Sequence, residues 1–259
     1  MNLGDLMKDY EIYSTMKVPK NSKIILRLDG RKFHSLARAL KLSKPYDDRF
    51  YKIIANVCID IFNQFSPKFI YAFSDEISIL LDEIPFSARV EKINSVFSSI
   101  ASSSFTYHLL NDYSSEFNLD KLSDNDRNIV FPISFDSRII PIDDESIAKY
   151  FKWRQDEAWR NCINGYGIWA LKKEYGTKEA NEKIKGLNSN EIHDLLFERG
   201  INLNDIDTWK KRGIGIYKKS WEIEGFNPVK GEKTVSTRSE VYVDYELEIF
   251  NREFFNNLK

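Results

Sequence analysis

The stretch FIYAFSDEISILL (residues 69–81) joins two apolar runs through the polar triplet Ser74, Asp75 and Glu76. Two paired strands with acidic residues at a tight hairpin tip are what this pattern predicts. Upstream, KIILRLD (23–29) is a short apolar run stopped by Gly30, which predicts a buried strand ending at a turn. Between them, residues 46–65 place Phe50, Ile53, Ile54, Val57, Ile61 and Phe65 at the spacing of a helix with one buried face. Beyond the hairpin, Phe86, Val90, Ile93, Phe97 and Ile100 recur at helical intervals from Pro85, leaving Arg89, Lys92, Ser95 and Ser99 on another face. A polar loop (111–128) and a further strand in FPISFDSRIIPI (131–142) follow. Read in order, strand, helix, strand, strand, helix and strand give an α+β, ferredoxin-like βαββαβ unit. In that topology the end of the first strand lies beside the hairpin, so Asp29 and Asp75 converge at one sheet edge.

After Pro141 the chain is expected to turn helical. DDESIAKYFKWRQDEAWRNCINGYGIWALKK (143–173) opens with acidic residues suited to a helix N-terminus and buries Ile147, Phe151, Ala158 and Cys162. Arg154, Asn161 and Asn164 fall on a polar face, and Gly165 and Gly167 are expected to weaken or bend the helix. Shorter helical patterns at 178–187 and 189–199 precede a polar loop, a strand at 213–217, a Gly, Pro and Lys loop at 225–234, and a last strand in EVYVDYELEIF (240–250).

Composition limits the chemistry. The 259 residues carry 38 Lys+Arg against 39 Asp+Glu, a formal net charge of −1, with 42% hydrophobic and 14% aromatic residues. Such a chain can bury a core and is no disordered polyelectrolyte, and any nucleic acid must be held by a local patch. Cys58, Cys162, His34, His108 and His193 are scattered without zinc-site or triad spacing, so a metal would be held by oxygen. The N-terminus mixes charge into its apolar residues, unlike a signal peptide, and no run approaches the ~18 apolar residues of a membrane span. A soluble, cytoplasmic protein with reduced thiols and no membrane partner is expected.

Two carboxylates on adjacent strand ends can hold a pair of magnesium ions, hard cations that take oxygen ligands and share them with substrate phosphates. Asp-Gly and Ser-Asp-Glu are also ordinary turn chemistry, so the spacing alone leaves both readings open. Arg31, Lys44, Arg89, Lys92 and Arg154 could neutralise a triphosphate or could be solvated surface, and His34 could be structural.

The motifs RLDGRKFH (27–34), Lys44, Pro45 and Asp47, YAFSDEISILL, the helix after Arg89, FDSRI and WRQDEA (153–158) occur in one order. Over about residues 5–220 the chain resembles the tRNA-histidine guanylyltransferase family, enzymes that extend RNA in the 3′-to-5′ direction. The resemblance implies a polymerase-like palm in residues 1–142 and a helical and β C-terminal portion, 143–259, that contacts tRNA and triphosphate. It also implies a homotetramer built as a dimer of dimers. Asp29 and Asp75 match the family's two metal-binding carboxylates, the Gly30 carbonyl a further ligand, and Glu76 an acidic neighbour. Arg31, Phe33, His34, Lys44 and Ser74 match positions around the activating nucleotide, ATP or GTP. Arg89, Lys92, Arg154, Lys210 and Lys211 fall where cations meet the triphosphate or the RNA end, with Asn161 beside them. Where the eukaryotic histidine-tRNA enzymes carry His-Ile-Asn-Asn, Trp159, Arg160 and Cys162 surround Asn161, as in the guanylyltransferase-like branch. That implies template-dependent repair of truncated tRNA 5′ ends in preference to addition of one guanosine. A basic surface of Lys172, Lys173, Lys210, Lys211, Arg212, Lys218 and Lys219 would hold the RNA by backbone and shape. A palm-type nucleotide cyclase or a forward polymerase is the competing enzyme class, and a non-enzymatic tRNA-binding module the other alternative.

Overall fold

Alternation along one strand sets the layers of the computed structural model, which describes residues 2–227 and 232–258. In β1 (Lys23–Gly30), Ile24, Leu26 and Leu28 enter one apolar cluster with α3 (Asp48–Phe65) and α4 (Val90–Asn111). Ile25 points the other way, into a cluster with α6 (Asp144–Ile184). The remaining elements in chain order are α1 (Leu3–Lys8), α2 (Phe33–Ala39), β2 (Phe69–Phe73), β3 (Glu76–Leu81), α5 (Asp124–Val130) and β4 (Phe135–Ile142). They continue with α7 (Ser189–Phe197), α8 (Thr208–Arg212), β5 (Ile214–Asn227), β6 (Glu232–Asp244) and α9 (Arg252–Asn257).

The strands form a six-stranded antiparallel sheet in the order β4-β1-β3-β2-β5-β6. Its first four strands carry the ferredoxin-like arrangement expected of the sequence, with α3 and α4 as the two crossovers on one face. On the opposite face α6 and α9 cover Ile25, Phe69, Tyr71 and Leu80. β5 extends the same sheet, pairing with β2 from Ile70↔Ile216 to Ala72↔Ile214.

Several boundaries differ from the sequence expectation for identifiable reasons. Phe86, Ser87 and Ala88 all have left-handed backbone (φ 56°, 53° and 63°), so α4 starts at Val90 and Phe86 reaches the core from a separate turn. The polar loop expected at 111–128 contains the start of α5, which Ser123 caps by accepting the Asp126 N–H. The long helix is not bent at Gly165 or Gly167. A Cβ at Gly167 would fall 2.7 Å from Ile192 and 2.8 Å from Ile184, so this glycine lets α7 pack closely, and the interruption falls at Gly176 (φ 75°, ψ 176°). The final strand stops at Asp244 although apolar alternation runs on to Phe250. There the Gln155 amide donates to the Glu248 carbonyl and accepts from the Phe250 N–H, both at 2.9 Å, taking the place of a strand partner. The Gly, Pro and Lys loop expected at 225–234 is shorter, since residues 225–227 belong to β5 and 232–234 to β6, and residues 228–231 lie outside the described residues.

Asp47 fixes the loop that enters α3. Its carboxylate accepts the Ser43 N–H at 2.8 Å, the Arg49 N–H at 3.0 Å and the Arg49 guanidinium at 2.6 and 3.0 Å. Burial opposes its ionisation, but these donors outweigh it and hold the carboxyl below the usual aspartate range. A depressed folded-state pKa contributes stability above the unfolded value near 4 and loses it as pH falls through the folded one. Asp47→Ala is therefore expected to cost about 2 kcal/mol at pH 7, a fall in Tm of about 4–8 °C by calorimetry, with a smaller deficit in acid.

Candidate active site

β1 delivers Asp29 and Gly30 to the sheet end where β2 and β3 turn. Asp29 lies opposite Glu76 in the ladder, and the Gly30 N–H donates to the Asp75 carbonyl at 3.1 Å. Phe73 pairs with Glu76, so the turn itself is the two residues Ser74 and Asp75, with Ser74 left-handed at φ 56°. The expected tip triplet is thus shorter by one, and Glu76 is the first residue of β3.

The turn is braced from below. The buried Tyr51 hydroxyl accepts the Ser74 N–H at 3.0 Å, and the Ser74 hydroxyl donates to Asp75 Oδ1 at 2.9 Å. Burial pushes the Asp75 carboxyl above its ordinary range, and the charges of Asp29 and Glu76 push it further against the Ser74 hydrogen bond. Like charges gathered at one strand end are the condition that a bound cation relieves. The donor set is hard oxygen, as magnesium requires. No group of three His, Cys, Asp or Glu side chains forms a metal cage among the described residues. A cation at Asp29 and Asp75 would draw its other ligands from backbone carbonyls, water and phosphate. At Gly30 an added Cβ would sit 2.4 Å from the Phe33 ring, so glycine is required for the chain to pass this closely.

A cleft of about 290 Å³ opens beside the turn, lined by Phe33, His34, Lys44, Tyr46, Ser74 and Asp75 among others. Phe33 forms its floor: the ring is 5% exposed and packs edge-on against Phe50, Phe105 and Phe135. It is placed to shape the cleft and not to stack on a base. His34 is exposed at the wall. Desolvation, reinforced by the nearby Lys172 ammonium on α6, pushes Lys44 below the usual lysine range against the pull of Asp47. Two cations pressed together this way favour a polyanion between them. Cys162, next to Tyr46, is buried and its thiol is pushed up to about 11, which disqualifies it as a nucleophile.

The other expected residues fall into four groups. Arg154 on α6 reaches Glu76 with a two-pronged ion pair, Nε at 2.7 Å and a terminal nitrogen at 2.8 Å, and Trp153 lies 4.5 Å from its guanidinium carbon. Its charge is matched by Glu76, with Arg27 Nε a further 3.9 Å contact of that carboxylate. Along the same stripe of α6, a Cβ added at Gly165 would meet Pro45 at 3.5 Å, so the exposed Asn161 sits on the helix between the Glu76 contact and the Lys44–Asp47 loop. Lys210 and Lys211 on α8 flank the site through Trp209, whose ring centroid is 4.2 Å from that of Tyr51. Lys210 is already engaged by Asp207 at 2.7 Å, and Lys211 donates to the Asn204 carbonyl at 3.0 Å. Arg31 is exposed and lines an adjoining cavity of about 460 Å³ with residues 128–134. Arg89 and Lys92 are not brought to the carboxylates within one chain. Ser102 on α4 accepts the Phe135 N–H, Phe135 lies opposite Gly30, and about 20 Å of helix separate Arg89 from Ser102.

Tyr51, Arg27 and Tyr46 were not singled out by the sequence. Tyr51 sits on the apolar stripe of a helix and reads as core. Arg27 alone gave a signal, a charge at an inward position of an otherwise apolar strand.

Comparison with known proteins agrees with this geometry. The family model described as tRNAHis guanylyltransferase matches residues 4–143, and that of its C-terminal domain matches residues 145–249. A probable tRNA(His) guanylyltransferase of Dictyostelium discoideum is 31% identical over 222 residues, covering 81% of this chain and 82% of the relative. A bacterial tRNA(His) guanylyltransferase-like protein solved in complex with ATP superposes with a TM-score of 0.73 at 28% identity, covering 100% of both chains. A second such structure, in complex with GTP, gives 0.65 at 29% identity, covering 95% of this chain and 93% of that one. A palm-type sheet, a carboxylate pair at its edge and matches spanning nearly the whole chain lead to one assignment: this chain belongs to the tRNA(His) guanylyltransferase family and is a nucleotidyltransferase.

Proposed function

We propose that the protein is a template-dependent 3′-to-5′ nucleotidyltransferase that restores nucleotides at the 5′ end of truncated tRNA. The observation that carries the reading is the meeting of Asp29 and the Ser74–Asp75 turn beside a cleft walled by His34 and Lys44. Asp29, Asp75 and the Gly30 carbonyl would hold two magnesium ions, which supply charge neutralisation for the attacking and leaving oxygens of an in-line phosphoryl transfer. Lys44 and Lys172 would take the triphosphate, and Ser74, His34 and Asn161 would border the nucleotide.

A 5′-monophosphate end is a poor electrophile. It is first joined to ATP with release of pyrophosphate, and the 3′-hydroxyl of an incoming nucleoside triphosphate then attacks the activated end and displaces the adenylate. Neither step needs a protein nucleophile, in keeping with the buried cysteines and scattered histidines. Trp159, Arg160 and Cys162 around Asn161, in place of the His-Ile-Asn-Asn of the eukaryotic enzymes, favour repair over addition of a single guanosine to histidine tRNA, and base pairing would then select the nucleotide. The exposed Lys173, Lys218 and Lys219 would meet the RNA backbone, while Arg89 and Lys92 would act at a distance from the carboxylates. We place the activity in the cytoplasm, in a homotetramer, with residues 1–142 as the catalytic portion and 143–259 packed on it.

Incubation with magnesium, labelled nucleotides and a tRNA lacking its first nucleotide is expected to extend the 5′ end with the templated base. Guanosine addition to full-length histidine tRNA alone would favour the single-addition reading, and a cyclic nucleotide or 3′ extension would defeat both.

A further inference from the structure

The start of β4, beside Asp29, is left uncovered by α6. In the β1–β4 ladder Arg27 lies opposite Arg138 and Asp29 opposite Asp136. Arg27 turns towards α6, where its Nε is 3.9 Å from the Glu76 carboxylate that Arg154 holds. Alternation therefore puts Arg138 and Asp136 on the α6 side of the sheet, and both are exposed, whereas Ile140 and Ile142 further along pack into the α6 cluster. The result is an open polar shelf next to the carboxylates of the candidate site.

The side of α6 that borders this shelf is aromatic. Phe151 packs on Phe69 and Tyr71 of β2, with ring centroids 5.3 and 6.4 Å apart. Trp153, two residues on, lies on the opposite flank of the helix, towards β1 and β4. It is 48% exposed, yet its ring is held by the Arg154 guanidinium, 4.5 Å from its centroid, and by the Tyr150 ring, 5.8 Å away at 74°. Arg154 is itself fixed to Glu76, which lies opposite Asp29. A large indole fixed in place with a face in water is a ready platform for a flat ligand.

Stacking on an aromatic face tolerates any base. A template-dependent enzyme needs that tolerance, since pairing selects the nucleotide. The pair that an incoming nucleotide forms with its template has no paired neighbour beyond it, so one of its faces is open. Its phosphates must reach Asp29 and Asp75, and Trp153 stands one ion pair, Arg154 with Glu76, away from them. The one ion pair of Arg138 among the described residues is a 3.5 Å contact with Asp136, which leaves the guanidinium able to take a phosphate.

We propose that Trp153 caps the base pair formed between the incoming nucleotide and the template nucleotide of the RNA, with Arg138 on a phosphate of the template strand. This rests on the repair reading and names the side chain that holds the template at that site.

The stack can be read without turnover. A truncated tRNA carrying 2-aminopurine at the templating position can pair with 3′-deoxyuridine triphosphate, which lacks the attacking oxygen and so stays unreacted. With magnesium and the wild type, 2-aminopurine fluorescence is expected to fall on binding. Trp153→Ala should lose most of that fall and raise the KM for the templated nucleotide roughly tenfold or more, with kcat changed less and Tm level. Trp153→Phe should restore both readouts. Quenching that depends on Trp153 in a protein that extends no 5′ end would uphold the stack and defeat the repair reading. No fall with the wild type, a fall of equal size with Trp153→Ala, or a lowered Tm that Trp153→Phe does not restore would each overturn the proposal.

Discussion

Asp75→Asn is expected to lower nucleotide addition at least about a thousandfold, ~4 kcal/mol in the barrier, while Tm stays level or rises. The two effects have one origin. In the folded protein the Asp75 carboxyl is pushed up by burial, by Asp29 and by Glu76. A carboxyl whose folded pKa is raised costs stability above that pKa; the cost shrinks as pH falls through the folded value and is gone below the unfolded one near 4. Asparagine removes that cost together with half of the cation-binding charge. Asp29→Asn should match the loss of activity. Magnesium titration followed by Tm provides a check independent of turnover: the wild type should be stabilised with rising metal and Asp75→Asn should not. A variant that keeps a tenth of wild-type activity would remove Asp75 from the chemistry.

Arg154→Ala is expected to be the most damaging single change to stability near the site. The Glu76 and Arg154 side chains are 18% and 15% exposed, and truncating the arginine leaves the Glu76 carboxylate, beside Asp29 and Asp75, with only the 3.9 Å contact to Arg27. Breaking a buried pair in this way costs about 3 kcal/mol or more, a fall in Tm of roughly 6–12 °C. Activity should fall as well, because the added negative charge makes ionisation of Asp75 harder still. Pairing Arg154→Met with Glu76→Gln removes both charges and should recover most of the stability but not the activity. Calorimetry on the single and double variants separates this ion pair from a role of Arg154 in holding phosphate, which would leave Tm unmoved.

The palm unit was legible because its strands alternate or stop cleanly: KIILRLDG ends at the glycine that Phe33 requires, and the 69–81 hairpin breaks at Ser74–Asp75. Convergence of Asp29 with Asp75 followed from topology, and the observed ladder brings Asp29 opposite Glu76 with Gly30 bonded to Asp75. What could not be read were features set by distant partners. The end of β6 depends on Gln155, more than ninety positions away in the chain, and the closeness of Gly167 to α7 depends on Ile192. The pairing of Arg154 with Glu76 likewise joins residues whose local patterns only mark them as charged. Short α2 was missed because residues 33–39 are too few to display a helical period.

The late arrival of β5 has a consequence for synthesis. β2 is a central strand, flanked by β3 and β5, yet β5 is translated only after α3 through α8 have emerged. Until residues 214–216 leave the ribosome, the growing polypeptide shows a bare β2 margin next to the Ser74–Asp75 turn, open to mispairing with neighbouring nascent chains. A messenger truncated before that point should yield aggregated product and not a smaller enzyme.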